Sequence, residues 1–202
     1  MSKRSFDIGV AAIGLLVLLP IMLAVAVLIK CDSRGSVFFK QKRIGKDFRA
    51  FSIYKFRTMK ENSELSGPVI TVGEDPRITR VGRFLRKTKL DELPQLINVL
   101  KGEMSLVGPR PELPRFVELF RSEYTEILTV RPGITDLASL KYQDEAKLMG
   151  QFPNPEEEYV RRILPDKIRL AREYIDRSSI VFDVSLILRT LPKLFGLKTF
   201  SH

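Results

Sequence analysis

Leu90-Asp91-Glu92-Leu93-Pro94-Gln95-Leu96-Ile97-Asn98-Val99-Leu100-Lys101-Gly102-Glu103-Met104-Ser105-Leu106-Val107-Gly108-Pro109-Arg110-Pro111 is the stretch around which the chain organises. Leu93, Leu96, Ile97 and Leu100 recur at i, i+3, i+4 and i+7, which predicts a helix with one buried face. That helix is expected to open at Asp91, to carry Pro94 in its first turn where a missing N–H costs little, and to stop at Gly102. Its first N–H groups lack partners and its dipole is positive there, so the carboxylates of Asp91 and Glu92 are expected to be ionised. An ionised Asp is a competent nucleophile toward phosphorus once the phosphate charge is screened. Lys55, Arg57, Arg83, Arg86 and Arg110 are the cations at hand, together with a Mg²⁺ ion held by oxygen ligands such as Asp91 and Glu92. By spacing alone, an ordinary capping Asp followed by a first-turn Glu is the commoner arrangement and the better fit.

Composition narrows the chemistry around this pair. The 202 residues suffice for one domain with a real core. Formal charge is +10, which calls for an anionic partner: nucleic acid, acidic lipid headgroups or phosphorylated small molecules. The one cysteine, Cys31, excludes an internal disulfide framework, and the one histidine is His202. Catalysis by a Ser-His-Asp or Cys-His set is therefore not expected, nor is a His/Cys zinc site. Gly67 and Gly73 have neither the spacing nor the following Lys-Ser/Thr of a phosphate loop. What remains is carboxylates as nucleophiles or bases with Lys and Arg managing negative charge, a set suited to phosphoryl transfer.

Upstream, residues 8–29 form an uncharged apolar run flanked by Lys3, Arg4 and Lys30. At about 1.5 Å per residue it just reaches across a hydrocarbon core of about 30 Å. A cleaved signal peptide is not expected, because no small-residue cleavage site precedes Lys30-Cys31-Asp32. A straight span and a re-entrant hairpin of two short arms both fit. Pro20 near the middle removes a hydrogen bond, Asp7 calls for a polar setting, and positive charge on both flanks suits two ends on one side; these features favour the re-entrant form.

Residues 35–56 read as a β-hairpin with its turn at 43–47, and residues 61–77 as a polar loop. Helices are expected over 79–87, over 114–128, and from the Pro153-Asn154-Pro155 stretch to near Arg177. Ser178 or Ser179 is expected to cap a last helix. Its stripe of Val181, Val184, Leu188, Leu191 and Phe195 beside Arg189, Lys193 and Lys198 suits either core packing or a membrane interface.

The quoted stretch resembles the signature of the bacterial sugar transferase family, the monotopic phosphoglycosyl transferases. The likeness extends through Tyr54-Lys55-Phe56-Arg57-Thr58-Met59, through Arg131-Pro132-Gly133-Ile134-Thr135, and over the N-terminal apolar run with its central proline. Almost the whole chain is thereby covered in order. The resemblance implies transfer of a sugar-1-phosphate from a nucleotide diphosphate sugar, usually a UDP-sugar, to polyprenol phosphate at the cytoplasmic face of the bacterial inner membrane, among membrane lipids. It implies Asp91 as the attacking group that forms a covalent phosphosugar–aspartate, and Glu92 as its assistant or as a Mg²⁺ ligand. Lys55, Arg86 and Arg110 would bind phosphate oxygens, with Gly108-Pro109-Arg110-Pro111 a rigid turn presenting Arg110; Arg131 is a further candidate. A helix broken at Pro20 is also implied.

Taken together, the fold expected is α/β but mostly helical: a re-entrant membrane helix over 1–34, then a cytoplasmic catalytic domain over 35–202 with a small β-hairpin and amphipathic interfacial helices. Homo-oligomerisation is left open. The family pattern is departed from at Gln143, where many members carry arginine and for which Lys141 is a candidate substitute, and at Ala171, where many are acidic. Both departures leave the sugar unassigned. A basic, non-catalytic scaffold on anionic membrane also explains the charge and the apolar run, but not an acidic pair amid cations. No nucleic-acid motif accompanies the basic balance, so no nucleic-acid partner is expected.

Overall fold

The apolar run folds as α1 (Lys3–Asp32), a 30-residue helix capped by Ser2, in a computed structural model that describes residues 2–61, 63, 72, 75–142 and 144–194. Gly67, Pro68, Gly73, Gln143, Phe195, Lys198 and His202 lie outside the described residues. The chain stays helical through Pro20. Losing one N–H costs a rung of the helix, but Leu15 and Leu18 before Pro20 and Met22 and Val25 after it pack against the body and secure both flanking turns. Asp7, Ala11, Met22, Val25 and Ile29 make one buried stripe along the helix. The opposite faces expose Ile13, Leu16, Val17, Leu23 and Val27, with Leu16 75% exposed.

Both ends of α1 are bonded to the same body. At its start, Arg4 donates to the Val99 and Leu100 carbonyls at 2.7 and 3.1 Å, and Asp7 accepts from Ser105 Oγ at 2.8 Å and Leu106 N at 3.2 Å. Lys3 pairs with the buried Asp183. At its end, Asp32 Oδ2 accepts from Val81 N at 3.0 Å. Arg57, expected among the phosphate-screening cations, is instead buried beneath the segment that follows α1. It donates to Ser33 O, Ser33 Oγ, Arg34 O and Ser36 O at 2.9, 2.9, 2.7 and 2.5 Å. Truncating Arg57→Ala strands these acceptors, and is expected to cost about 2–4 kcal/mol of stability. Thermal unfolding in detergent checks this, with Arg57→Lys recovering less than half of the loss because an ammonium cannot reach several carbonyls at once.

β1 (Phe38–Ile44) and β2 (Ala50–Phe56) pair antiparallel, with Phe39 opposite Lys55, Gln41 opposite Ile53 and Arg43 opposite Phe51. Opposed residues share a face, so Lys55 and Arg43 project from the same side of the hairpin. Its turn falls a few residues later than expected, in a 3₁₀ segment at Lys46–Phe48 where Asp47 and Phe48 adopt φ of 55° and 59°. The expected 79–87 helix is α2 (Arg80–Thr88), capped by Thr79 Oγ1, which accepts from Gly82 N at 2.9 Å. A Cβ on Gly82 would stand 2.1 Å from the Thr58 carbonyl oxygen, so only glycine lets α2 sit directly on Thr58.

The helix expected to open at Asp91 begins later. Leu90–Glu92 is a 3₁₀ turn, and α3 (Gln95–Lys101) follows Pro94 and ends at Gly102, whose φ is 83°. Pro94 has no N–H to give the Leu90 carbonyl, which accepts from Leu93 N at 3.3 Å instead. Then β3 (Ser105–Val107) pairs parallel with β4 (Gly133–Thr135). Between the strands lie α4 (Pro114–Leu119) and α5 (Arg121–Ile127). The single helix expected over 114–128 is thus two, parted at Phe120, which leaves helical conformation and packs against the core.

α6 (Leu137–Lys141), α7 (Glu145–Met149) and α8 (Pro155–Glu158) follow. The long charged helix expected to end near Arg177 is α8, a π-turn at Tyr159–Ile163 and α9 (Leu164–Arg177) in series. Pro165 cannot donate to the Arg161 carbonyl, and the widened turn accommodates that gap. α10 (Ile180–Leu194) begins after Ser179, whose hydroxyl accepts from Phe182 N at 3.2 Å. Its inner face buries Asp183 and Leu186, whereas Val181, Val184, Leu188 and Leu191 face outward, Val181 being 81% exposed. The stripe is therefore not core.

Candidate active site

The site forms where the hairpin, the 3₁₀ turn and the end of β3 meet. Asn98 aligns the first of these. Its Oδ1 accepts from Tyr54 N at 3.0 Å, and its Nδ2 donates to Ser52 O at 2.8 Å and Glu103 Oε2 at 2.7 Å. Fully buried and fully bonded, Asn98 fixes β2 against α3 and so sets where Lys55 stands. Lys55 Nζ donates to Glu92 Oε1 at 2.6 Å, and Arg110 Nη2 donates to the same oxygen at 2.6 Å. Three residues singled out in the sequence, 37 and 18 positions apart, are thereby brought to one point.

Arg110 is delivered by close backbone approach. A Cβ on Gly133 would lie 2.1 Å from Gly108 N, so β3 and β4 can join at this turn only through glycine. The turn is braced from behind by Arg43, which donates to Pro111 O at 3.2 Å and Glu112 Oε1 at 3.0 Å, while Tyr159 donates to Glu112 Oε2 at 2.7 Å. This Arg43–Glu112–Tyr159 brace was not anticipated from sequence; the acidic residue directly after Pro-Arg-Pro was the available signal. Lys89, held at φ 57° between α2 and the 3₁₀ turn, is a second addition, because its charge acts on both carboxylates.

Asp91 is buried, and its Oδ1 has no hydrogen-bond partner among the described residues. The helix-end explanation for its ionisation is thereby corrected: α3 starts four residues later, and burial governs. Burial pushes the Asp91 carboxyl above its ordinary value, and neighbouring Glu92 adds to this, while Lys55, Lys89 and Arg86 pull the other way. For Glu92, burial also pushes upward, but Arg110, Lys55 and Lys89 more than offset it and hold the group well below the usual carboxylate range. Adjacent carboxylates are thus pushed apart, Glu92 toward the charged form by its cations and Asp91 toward the neutral form by burial. Burial lowers Lys55, partly countered by Glu92; Glu92 raises Arg110. A buried carboxylate oxygen left without a donor costs about 1–3 kcal/mol, a cost that is retained where an incoming group will use that oxygen.

Arg86 Nε donates to Thr58 Oγ1 at 2.9 Å, and its charge acts on Asp91. Among the described residues, Arg131 and Lys141 are not drawn into this centre by any hydrogen bond or ion pair. Arg131 Nε donates to Gly102 O at 2.8 Å at the end of α3, and Lys141 pairs with Asp166 of α9 at 2.8 Å. Arg83 faces a different groove, beside the end of α1. A divalent cation would find Asp91 Oδ1 and the second Glu92 oxygen, but no cluster of three His, Cys, Asp or Glu exists among the described residues. Such a donor set fits a hard cation that completes its shell with phosphate oxygens and water, as Mg²⁺ does, rather than an all-protein cage.

If Asp91 must be ionised to react, activity falls as pH drops through its raised pKa. The acid limb of the pH–rate profile is then expected above the ordinary aspartate range of about 4. An acid limb at or below that range would contradict the assignment.

The model of the family described as Bacterial sugar transferase matches residues 1–196. The chain is 42% identical over 198 residues to the exopolysaccharide production protein PSS of Rhizobium leguminosarum bv. phaseoli, covering 94% of this chain and 92% of that protein. It is 51% identical over 141 residues to the UDP-N-acetylgalactosamine-undecaprenyl-phosphate N-acetylgalactosaminephosphotransferase of Aeromonas hydrophila, covering 68% of this chain and 33% of the relative. It is 36% identical over 197 residues to the UDP-glucose:undecaprenyl-phosphate glucose-1-phosphate transferase of Escherichia coli strain K12, covering 96% of this chain and 40% of that protein. The chain thus spans nearly all of the first relative and about a third to two fifths of the other two. With a match over almost its whole length, this chain belongs to the bacterial sugar transferase family.

Proposed function

We propose that the chain transfers a sugar-1-phosphate from a UDP-sugar to polyprenol phosphate through a covalent phosphosugar–Asp91 intermediate. The observation that carries this reading is the buried, unpartnered Asp91 oxygen beside a carboxylate pinned by two cations. The names of the Aeromonas and Escherichia relatives, which specify UDP-sugars and undecaprenyl phosphate, support the choice of donor and acceptor.

In the first step an Asp91 oxygen attacks the sugar-bearing phosphorus. The new carboxylate–phosphorus bond forms as the bond to the bridging oxygen breaks, and the electron pair leaves with uridine monophosphate. In the second, a phosphate oxygen of polyprenol phosphate attacks the same phosphorus, Asp91 departs as a carboxylate, and a sugar diphosphate lipid results. Arg110 and Lys55 supply positive charge where the transferring phosphoryl group gathers negative charge. Glu92 holds both cations in place, and Arg86 adds charge from the α2 side. Mg²⁺, bound through the free oxygens of Asp91 and Glu92, would supply further screening of the diphosphate.

The outward apolar faces of α1 and α10 suit a seat in a membrane. Both ends of α1 are tied to one body, which favours a re-entrant rather than a spanning path, with residues 35–202 as the catalytic body on the cytoplasmic face of a bacterial inner membrane. A panel of nucleotide diphosphate sugars, incubated with the full chain, undecaprenyl phosphate and Mg²⁺, tests the reaction. Release of uridine monophosphate with formation of a glycosylated lipid is expected for at least one UDP-sugar. No release from any donor would contradict the proposal.

A further inference from the structure

A second cationic feature lies where the end of α1 meets the start of α2. A groove of about 540 Å³ is lined there by Asp32, Ser33, Lys60, Thr79, Arg80 and Arg83, among others. Lys60, Arg80 and Arg83 are exposed, and their side chains make no hydrogen bond or ion pair among the described residues. The nearby acidic groups offset these charges only in part. Asp75 is bound by Arg77 at 2.6 Å, and Asp32 Oδ2 serves Val81 N. Three cations from two segments therefore share the lining with one carboxylate, Asp32, and the net positive charge of the groove suits an anion.

The groove borders apolar surface on two sides. Phe84 follows Arg80 by one helical turn and stands 56% exposed. Val27 precedes Cys31, another lining residue, by one turn of α1 and is also exposed. Cations flanking an exposed aromatic ring, at the end of an apolar helix, match a ligand with a charged head and a hydrocarbon tail better than a free inorganic anion.

We propose that this groove binds the phosphate group of an anionic membrane phospholipid, at a site separate from the Glu92 centre. The lipid's phosphate sits among Lys60, Arg80 and Arg83, and its acyl chains lie along Phe84 and the outward face of α1. Such a lipid fixes the depth and orientation of α1 and α2 without taking part in the reaction.

Native mass spectrometry of the detergent-solubilised full chain tests this, with phosphatidylglycerol, phosphatidylcholine and inorganic phosphate as probes. Wild type is expected to retain phosphatidylglycerol in preference to phosphatidylcholine. The K60A/R80A/R83A variant should lose that retention by at least about tenfold, while the charge-matched K42A/R49A/K147A variant keeps it within about twofold. Asp91→Asn should keep it too, which separates lipid binding from catalysis and from the proposed reaction. Should the triple variant unfold, Arg80→Gln and Arg83→Gln singly are expected to show the same loss in smaller measure. Undiminished retention in the groove variants, equal retention of phosphatidylcholine by wild type, or full displacement of the lipid by millimolar inorganic phosphate would overturn the proposal.

Discussion

Asp91→Asn is expected to abolish uridine monophosphate release, by at least about a thousandfold, in a protein that is no less stable than wild type. Asparagine keeps the shape of the side chain and removes the nucleophilic oxygen, so binding geometry survives while the covalent step does not. The stability half follows from the sign of the shift. Burial raises the Asp91 pKa in the folded state above its unfolded value. Its contribution to stability is therefore fully present below the unfolded value and lost as pH rises through the folded one. Above the folded value the ionised Asp91 is a burden that Asn does not carry, and a gain of about 1 kcal/mol is expected there in unfolding measurements. Loss of activity together with a lower Tm would point to a structural role.

Glu92→Gln is expected to act in the opposite sense on stability and still to damage activity. Glu92 is held well below the usual carboxylate range by Arg110 and Lys55 despite its burial. Its stabilising contribution is present above the unfolded value and disappears as pH falls through the folded one. Replacing it by a neutral amide leaves Lys55 and Arg110 facing each other without their shared anion, at a cost of about 3–5 kcal/mol. Turnover is expected to fall by about a hundredfold as the two cations lose their alignment. Removing the neighbouring negative charge also lowers the Asp91 pKa, so the residual activity should show its acid limb at lower pH than wild type. A residual rate with an unmoved limb would show that the two carboxylates are not coupled.

Much of this site is legible in the order of residues, because local rules place its parts. Apolar, aromatic and β-branched residues on either side of the Gly45 turn give the hairpin that carries Lys55, the basic stretch from Thr79 gives α2 and Arg86, and glycine and proline mark the turn that carries Arg110. What is not legible is which cations converge. Lys55, Arg57, Arg83, Arg86 and Arg110 look alike in sequence, yet Arg57 turns inward to four oxygens of residues 33–36, Arg83 lines another groove, and only Lys55 and Arg110 reach Glu92. The difference is tertiary: it depends on β1 pairing with β2 and on β3 meeting β4 across 28 residues of sequence. Pro94 misled for a local reason. Its lost N–H turns the expected first helical turn into a 3₁₀ turn, and Asp91 is governed by burial rather than by a helix end.

The same limit applies to the apolar segments. Periodicity in α10 identifies a stripe but not its direction, and only Lys3 and Tyr174 engaging Asp183 on the other face turn Val181 and Leu188 outward. In α1, hydropathy alone fits either a span or a re-entrant helix, and it does not announce the bonds of Arg4 and Asp32 that tie both ends of the helix to one body.

The covalent role of Asp91 is tested most directly by a single turnover without acceptor. The full chain is mixed with a turnover-competent UDP-sugar and Mg²⁺ in the absence of polyprenol phosphate, quenched, and analysed for released uridine monophosphate and for peptide mass. The expected result is release of about one equivalent of nucleotide per enzyme, with the phosphosugar on the peptide that contains Asp91 and chased off by added undecaprenyl phosphate. No release until the acceptor is added, or a phosphosugar on any other residue, would contradict it.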